Sequence, residues 1–485
     1  MAEQRLEEIR KIRLEKVKKL RELGINPYPS KAAGTTVSIA KARESEGSEA
    51  QIAGRVMGWR EHGNVIFADL KDESGMIQIW FQKNTLGDKF KLLKLFDIGD
   101  FMYAKGKVAK TSAGELSVDV SDYQLLTKSI RPLPSVWHGL KDEELRYRQR
   151  YVDLILHEEL KDLFRKKAMF WQSMREFMLQ KNFLEVETPS LETTAGGADA
   201  NPFKTHHDAL DIDLFLRISM GELWQKRLMV AGFEKTFEIG RQFRNEGLSR
   251  EHLQDYTQME FYWAYANYED SMKLVEELYK FVAKKTFGKL DFEINKFKVN
   301  LGDDWKKIDY TEIIKEKTGI DITKAAESEI IGKLQELKLE YDKKDEKARL
   351  IDTLWKSVRR DIAGPAFLVG HPVEVSPLAK RQEDKPGFVE RYQVLLAGSE
   401  MGNGYSELND PADQAERFME QQRMRDKGDL DAQMHDEDFV RALEYGMPPT
   451  SGFGVSERLF SFLANLPIRE AVLFPLLRPE RNEKE

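Results

Sequence analysis

Between Phe237 and Tyr268 the chain reads FEIGRQFRNEGLSREHLQDYTQMEFYWAYANY, with charged residues at a spacing that could do chemistry. Side chains alternate across a strand, so Glu238, Gln242, Arg244 and Glu246 share one side, while Phe237, Ile239 and Phe243 share the other. On the return after a loop, Glu260 and Tyr262 face one way, and Met259, Phe261, Trp263 and Tyr265 the opposite way. One side is core. The other can hold an anion through the planar guanidinium of Arg244 and a cation through its carboxylates. A second segment, GSEMGNGYSELND at 398–410, puts Asn403, Tyr405 and Glu407 on one strand face and Glu400 on the opposite parity. All four reach one ligand only if a bend or bulge falls between them, and Gly402 and Gly404 supply the backbone freedom. A third, GFGVSERL, reads as a glycine-rich strand running into the helix LFSFLANL, with Glu457 and Arg458 at the junction. His206 and His207 stand together, but with eight histidines, no cysteine and no third ligand nearby, packing or hydrogen bonding is the better reading than a metal pair.

The elements that position these residues follow from composition and pattern. A chain of 485 residues suggests roughly three domains, and 41% hydrophobic residues suffice for a sizeable core. The absence of cysteine removes disulfides, thiolate metal sites and cysteine nucleophiles, and points to a reducing cytoplasm. The N-terminus carries a charge every two or three residues, unlike a signal peptide, and no apolar run reaches the length of about 18 residues that a membrane span needs. Net charge is −7, which argues against a nucleic-acid coat without testing local contacts. Residues 1–48 read as an amphipathic helix and linker; its eight basic side chains suit a solvated face or, more sharply, an RNA-backbone contact. Residues 49–128 hold five short alternating segments with glycine-rich turns, suited to a small barrel of the OB type. A proline-stiffened hinge follows over 129–158, and the large remainder, 159–485, carries the three segments above and a charged helical insertion at 321–360.

The Phe237–Tyr268 block resembles motif 2 (236–266) of the class II aminoacyl-tRNA synthetases. With LEVETPSL (184–191), AGGADANPFKTHH (195–207), PVEVSPLAKR (372–381), GSEMGNGYSELND and PPTSGFGVSERL (448–459), the resemblance narrows to the lysyl-tRNA synthetases, subclass IIb of bacterial type. It implies an α+β fold in which an OB-fold anticodon-binding barrel precedes a large antiparallel β-sheet domain flanked by helices. Motif 1 (160–191) would build a homodimer interface, and motif 3 spans 450–470. The implied reaction is ATP-dependent attachment of L-lysine to tRNA(Lys) through a lysyl-adenylate, with Mg2+ as cofactor, in the cytoplasm and without a membrane.

The resemblance also implies roles. Arg244 would touch both reactants and Arg458 would grip the terminal phosphate of ATP; these are the implied catalytic pair. Glu246 would accept from the adenine amino group, His252 would lie near the triphosphate and Tyr256 would stack on adenine. Glu400 would hold magnesium, with Gln393 where a second carboxylate is usual; an amide oxygen can ligate Mg2+ but adds no charge. Glu222, assisted by the backbone near Gly197, would receive the α-ammonium of lysine. Glu407, Glu260 and the Tyr262 hydroxyl, with Asn403 and Tyr405 beside them, would converge on the ε-ammonium, which offers three donors. On the barrel, Phe67 and Gln78 resemble the anticodon-reading pair, supported by Arg60 and Glu115, although IFADL taken alone would put Phe67 in the barrel core.

Two departures from the family pattern stand out. Val455 or Ser456 falls where a third glycine is expected in motif 3, and RISMGELWQ is one residue longer than usual, which could shift Glu222. Two alternatives remain. An aspartyl or asparaginyl enzyme of the same subclass would need a positive or amide-reading group where this chain has Glu407 and Glu260. A catalytically silent tRNA-binding paralogue would bind tRNA without forming an adenylate. Neither a GxxxxGK[ST] loop nor an HIGH-like tetrapeptide occurs, and GFGVSE lacks the third glycine of a dinucleotide fingerprint.

Overall fold

The computed structural model describes residues 2–134, 142–247, 251–342, 345–428 and 432–480. It has two compact units, Met1–Glu143 and Glu144–Glu485. Residues 135–141 of the expected hinge and 248–250 of the motif 2 loop lie outside the described residues.

In the first unit, β1 (Glu49–His62), β2 (Val65–Lys71), β3 (Met76–Gln82), β4 (Phe101–Lys110) and β5 (Leu116–Thr127) close into a barrel in the order β1-β2-β3-β5-β4. Closure leaves no free edge, and the period-two pattern fills the inside: Ile66, Ala68 and Leu70 are buried while Phe67 and Asp69 point outward. The opening helix, Ala2–Glu22, adds Leu20 to the barrel's apolar cluster. Two of its basic residues serve this docking. Arg13 donates to the carbonyls of Ser129 and Ile98 at 3.0 Å, and Lys16 lies 2.8 Å from Asp97.

The second unit begins its sheet structure after the helix Glu158–Gln180. Its strands are β6 (Leu184–Glu185), β7 (Leu191–Glu192), β8 (Lys204–His207), β9 (Ile212–Leu216), β10 (Lys235–Phe243), β11 (Asp255–Ala264), β12 (Asp291–Ile294), β13 (Phe297–Asn300), β14 (Lys306–Asp309), β15 (Ala366–Val369), β16 (Arg391–Leu396), β17 (Ser399–Ser406) and β18 (Thr450–Ser456). Eight of them form one sheet, β14-β15-β16-β17-β18-β11-β10-β6, antiparallel except for the outermost pair at each edge. One face carries Phe237, Met259, Phe261, Val394, Phe453 and Val455 into a common core with Phe170, Met174, Val275 and Leu278 of the helices Glu158–Gln180 and Tyr268–Phe287. The second helix starts at a capping box between Asn267 and Asp270 and stops at Gly288, whose φ of 72° closes it.

Three local expectations change. LEVETPSL, which by its sequence reads as a strand closed by Pro189, pairs only at Leu184–Glu185 with β10; Leu191–Glu192 pairs with β9, and Pro189, lacking an N–H, lies between. Tyr265 does not continue the core parity of β11; it follows the strand end at φ 62° and is 72% exposed. The charged insertion is no simple interruption. Helices Tyr310–Thr318, Glu327–Glu336 and Lys347–Arg359 share an apolar cluster of their own and make the crossover that parallel β14 and β15 require.

Candidate active site

The sheet face opposite the helices borders a cavity of about 360 Å³, and all fourteen residues that the sequence reading assigned to the large domain line it. They are Gly197, Glu222, Arg244, Glu246, His252, Tyr256, Glu260, Tyr262, Gln393, Glu400, Asn403, Tyr405, Glu407 and Arg458. Glu238, on the same strand face as Arg244, is not among them. Its carboxylate accepts from Arg217 at 2.6 Å and from the Thr188 hydroxyl at 2.6 Å, a structural ion pair beneath the site.

One end of the cavity is acidic. Glu260 Oε1 accepts from the Met220 N–H at 3.0 Å and from Gln258 at 2.6 Å, and its other oxygen accepts the Tyr262 hydroxyl at 3.0 Å. Burial, and then the neighbouring Glu222, push the Glu260 carboxyl up to about 7. Glu407 is raised well above the carboxylate range by burial, against the opposing pull of Lys226. Glu222 begins the helix Glu222–Val230 and accepts the Tyr405 hydroxyl. Gly221 precedes it, and its φ of 66° and contact with Thr188, where a Cβ would lie 2.0 Å from the hydroxyl, admit only glycine. Gly197 is also closely packed, a Cβ there standing 2.5 Å from Ser219 Oγ and 2.9 Å from Glu222 Cβ.

Two backbone devices bring these groups together. The β16–β17 register shifts between Gln393↔Asn403 and Leu395↔Glu400, so β17 holds one extra residue. This bulge lets Glu400 join Asn403, Tyr405 and Glu407 at one cavity despite their different parity. On β18, Gly452 and Gly454 face the cavity: a Cβ on Gly452 would lie 2.3 Å from Glu407 Oε1, and one on Gly454 3.1 Å from Glu260 Cγ. Val455, by contrast, points into the core with 2% exposure. The missing third glycine therefore costs no approach at 455, and the Ser456 hydroxyl accepts the Arg458 N–H at 3.3 Å.

The other end is cationic. Arg244 continues the β10 pairing through its N–H to Gln254 O at 2.8 Å, its Nε donates to Ile218 O at 3.2 Å, and its guanidinium lies 5.9 Å from the Tyr256 ring centroid. Arg458 extends from the start of the helix Arg458–Leu463 over the Phe462 ring and donates to Glu251 of the motif 2 loop. His252 lines the same end, and partial burial together with Arg458 lowers the affinity of its imidazole for a proton. Glu246 is exposed at the rim.

The residues expected to hold magnesium form a relay. Trp355 of the insertion donates to Glu400 Oε1 at 2.6 Å, and Gln393 donates through its amide nitrogen to Glu400 Oε2 at 3.0 Å. The Gln393 amide oxygen faces His371 Nε2 at 3.1 Å. Burial, with Arg391 beside it, pushes the His371 imidazole down to about 3, so it is neutral and its Nε2–H donates to that oxygen. Gln393 thus turns a donor toward Glu400 in this arrangement. Among the described residues no cluster of three or more His, Cys, Asp or Glu forms a metal cage. A single carboxylate fits a magnesium ion that is carried chiefly by phosphate oxygens.

On the barrel, Arg60, Phe67, Gln78 and Glu115 share the outer surface. Arg60 makes a two-pronged pair with Asp69 at 2.6 and 2.7 Å, Gln78 donates to Glu115 at 3.0 Å, and the half-buried Phe67 ring stands 6.1 Å from His62. Phe67 is not in the barrel core. His206 and His207 lie at the surface, with His206 2.9 Å from Asp213. The sequence reading missed Asp69, Lys226, Glu251, Trp355 and Arg391, the last of which donates to Asn403 at 2.8 Å. Asp69 and Glu251 stand inside quoted segments and Lys226 one residue past another, whereas Trp355 and Arg391 stand in none. For Lys226 the signal was available, since it follows Glu222 by four residues on a helix.

Comparison with known proteins agrees with this arrangement. The model of the family "tRNA synthetases class II (D, K and N)" matches residues 142–478, and that of the OB-fold nucleic acid binding domain matches 50–126. A lysine--tRNA ligase of Carboxydothermus hydrogenoformans is 45% identical over 487 residues, covering 99% of this chain and 100% of its own. Another, from Thermotoga sp. (strain RQ2), is 43% identical over 494 residues, covering 99% and 98% respectively.

Proposed function

Because the chain belongs to the class II tRNA synthetases of the D, K and N group, we propose that it attaches lysine to tRNA at the expense of ATP. The observation that carries the choice of lysine is the acidic end of the cavity, where Glu222, Glu260 and Glu407 meet the Tyr262 and Tyr405 hydroxyls. An aspartate side chain would put its own oxygens against these acceptors, and an asparagine amide brings only two donors and no charge to them, so buried groups would be left unpaired.

In this reading Glu222 and the backbone near Gly197 take the α-ammonium, and Glu260 and Glu407 take the ε-ammonium, with the Tyr262 hydroxyl aligning Glu260. Asn403 and Tyr405 complete the wall. Arg244 offers its planar fork to the lysine carboxylate and the α-phosphate, two anions that repel until a shared cation lies between them. The carboxylate oxygen then forms a bond to the α-phosphorus, and pyrophosphate leaves with the electron pair of the broken bond. Arg458, released from Glu251, neutralises the terminal phosphate; His252 stands beside the triphosphate. Tyr256 stacks on adenine and Glu246 accepts from its amino group. Glu400, aligned by Trp355 and Gln393, is the residue that would hold magnesium, which neutralises phosphate charge when bound. In the second step the terminal ribose hydroxyl of tRNA attacks the lysyl carbonyl carbon and AMP departs. Phe67 stacks an anticodon base, Gln78 reads its edge, and Arg60 and Glu115 hold the surrounding surface.

A homodimer through motif 1 accounts for the exposure of Met169, Leu179, Leu184 and Leu191, and sedimentation should return twice the chain mass of 56.2 kDa. No described helix is long and apolar enough to cross a membrane, and we place the reaction in the cytoplasm. Purified protein with Mg2+ should exchange pyrophosphate into ATP far faster with lysine than with asparagine or aspartate. Equal rates with the three amino acids would reject the lysine assignment.

A further inference from the structure

Behind the acidic wall of the cavity lies a lysine that belongs to the protein itself. Lys226 follows Glu222 by one helical turn, and its ammonium is fully buried, 2.6 Å from Glu222 Oε1 and 2.5 Å from Glu407 Oε2. The rings of Tyr405 and Phe439 lie 5.5 and 5.8 Å from it. Lys226 does not line the cavity, so a ligand there meets Glu222 and Glu407 but not the ammonium that joins them. Among the described residues Glu260 receives no such partner; its oxygens are held by the Met220 N–H, Gln258 and Tyr262.

Formal charge makes the arrangement informative. With a ligand bound and all three carboxyls ionised, Glu222, Glu260 and Glu407 beside one internal ammonium would leave two negative charges, the number that the two ammonium groups of lysine would meet. Without the internal ammonium nothing would oppose the effect of burial on Glu407, and the carboxyls of this site would keep their protons to higher pH than they do beside Lys226. Such a proton takes away an acceptor that the ligand needs, and it comes and goes with pH. A permanent ammonium does neither.

We propose that Lys226 is a positioning residue for lysine recognition: its buried ammonium joins Glu222 and Glu407, fixes the spacing of their oxygens, and offsets part of the negative charge that they would present to a ligand with two ammonium groups. The groups that face this ammonium or its partners are Glu222 on its own helix, Glu260 and Tyr262 on β11, Tyr405 on β17 and Glu407 just beyond it. The pull of the two carboxylates outweighs burial and keeps Lys226 protonated. The inference rests on the lysine reading above. Absence of lysine-dependent exchange in the native protein would sink that reading, whereas an active native protein with an indifferent variant sinks only this one.

The test is lysine-dependent pyrophosphate exchange between pH 6 and 9 for the native protein, Lys226→Met and Lys226→Arg, with KM for lysine and for ATP and the melting temperature recorded for each. Lys226→Met should raise the lysine KM about tenfold or more, leave the ATP KM within about twofold, and move the pH at which the lysine KM levels off upward by about one unit. Lys226→Arg keeps the cation, so its levelling pH should stay at the native value even where its larger head group raises KM. An unchanged lysine KM in Lys226→Met, or parallel rises in both KM values with no pH displacement, would overturn the proposal by reducing Lys226 to a packing residue. Should Lys226→Met fail to fold, Lys226→Arg decides alone: a native levelling pH supports the proposal, and a displaced one overturns it.

Discussion

Glu260 carries a pH dependence whose sign can be worked out. Its carboxyl is raised from 4.5 to about 7 by burial and by Glu222, so below neutrality it holds a proton that an entering ammonium must expel. Lysine affinity therefore rises with pH, and the lysine KM should fall between pH 6 and pH 8 before levelling; a KM that rose over that window would contradict the role. Linkage gives the same sign in stability. A carboxyl raised on folding contributes stability that is present below the unfolded value and lost as pH rises through the folded one, and a bound ammonium offsets that loss. Lysine should accordingly raise the melting temperature more at pH 8 than at pH 6. At the neighbouring position, Glu407→Gln removes a charged acceptor facing the ligand amine, and the lysine KM should rise about 10- to 100-fold with the ATP KM nearly unchanged. Equal effects on both substrates would show that Glu407 serves the fold and not the side-chain end of lysine.

Between elements, the site depends on how closely strands can approach. A Cβ at Gly452 would intrude to 2.3 Å from Glu407 Oε1 and 2.6 Å from the Tyr262 ring, so Gly452→Ala should disturb lysine binding while β18 still pairs. The expected result is a lysine KM raised about tenfold or more with a modest fall in melting temperature. A variant with native KM would mean that both side chains can withdraw. The helical insertion contributes through Trp355, whose indole holds Glu400 at 2.6 Å. Trp355→Phe keeps the packing of the Lys347–Arg359 helix and removes the donor; the KM for magnesium-ATP should rise several-fold, on the order of one lost charged hydrogen bond, with the lysine KM unmoved. No periodicity in 321–360 announces this contact, because it arises where a helix from a crossover meets a bulged strand.

At the scale of the whole molecule the chain forms two compact units, Met1–Glu143 and Glu144–Glu485. In the proposed function adenylate chemistry needs only the residues around the cavity of the second, and tRNA selection adds the outer face of the barrel in the first. Phe67→Ala should raise the KM for tRNA in aminoacylation about tenfold or more, in line with the loss of one stacked base, and leave pyrophosphate exchange at the native rate. A matching loss in both assays would place Phe67 in the stability of the protein as a whole.

Much of this was legible along the chain because it is local. Alternation alone separates Met259 and Phe261 from Glu260 and Tyr262, since successive strand residues point to opposite faces, and the core confirms that division. The five barrel segments follow from the same short-range alternation, although IFADL by itself would have turned Phe67 inward. What needed the tertiary structure is where distant segments meet and how their charges settle. The position of the β17 bulge, the burial of Val455, the amide of Gln393 turned by a neutral His371, and the pairing of Lys226 with both Glu222 and Glu407 each join residues far apart in sequence. Sequence spacing determines which residue types are available and which face they share; burial and distance, which exist only once the sheet has assembled, decide which of them are charged, paired and free to take a ligand.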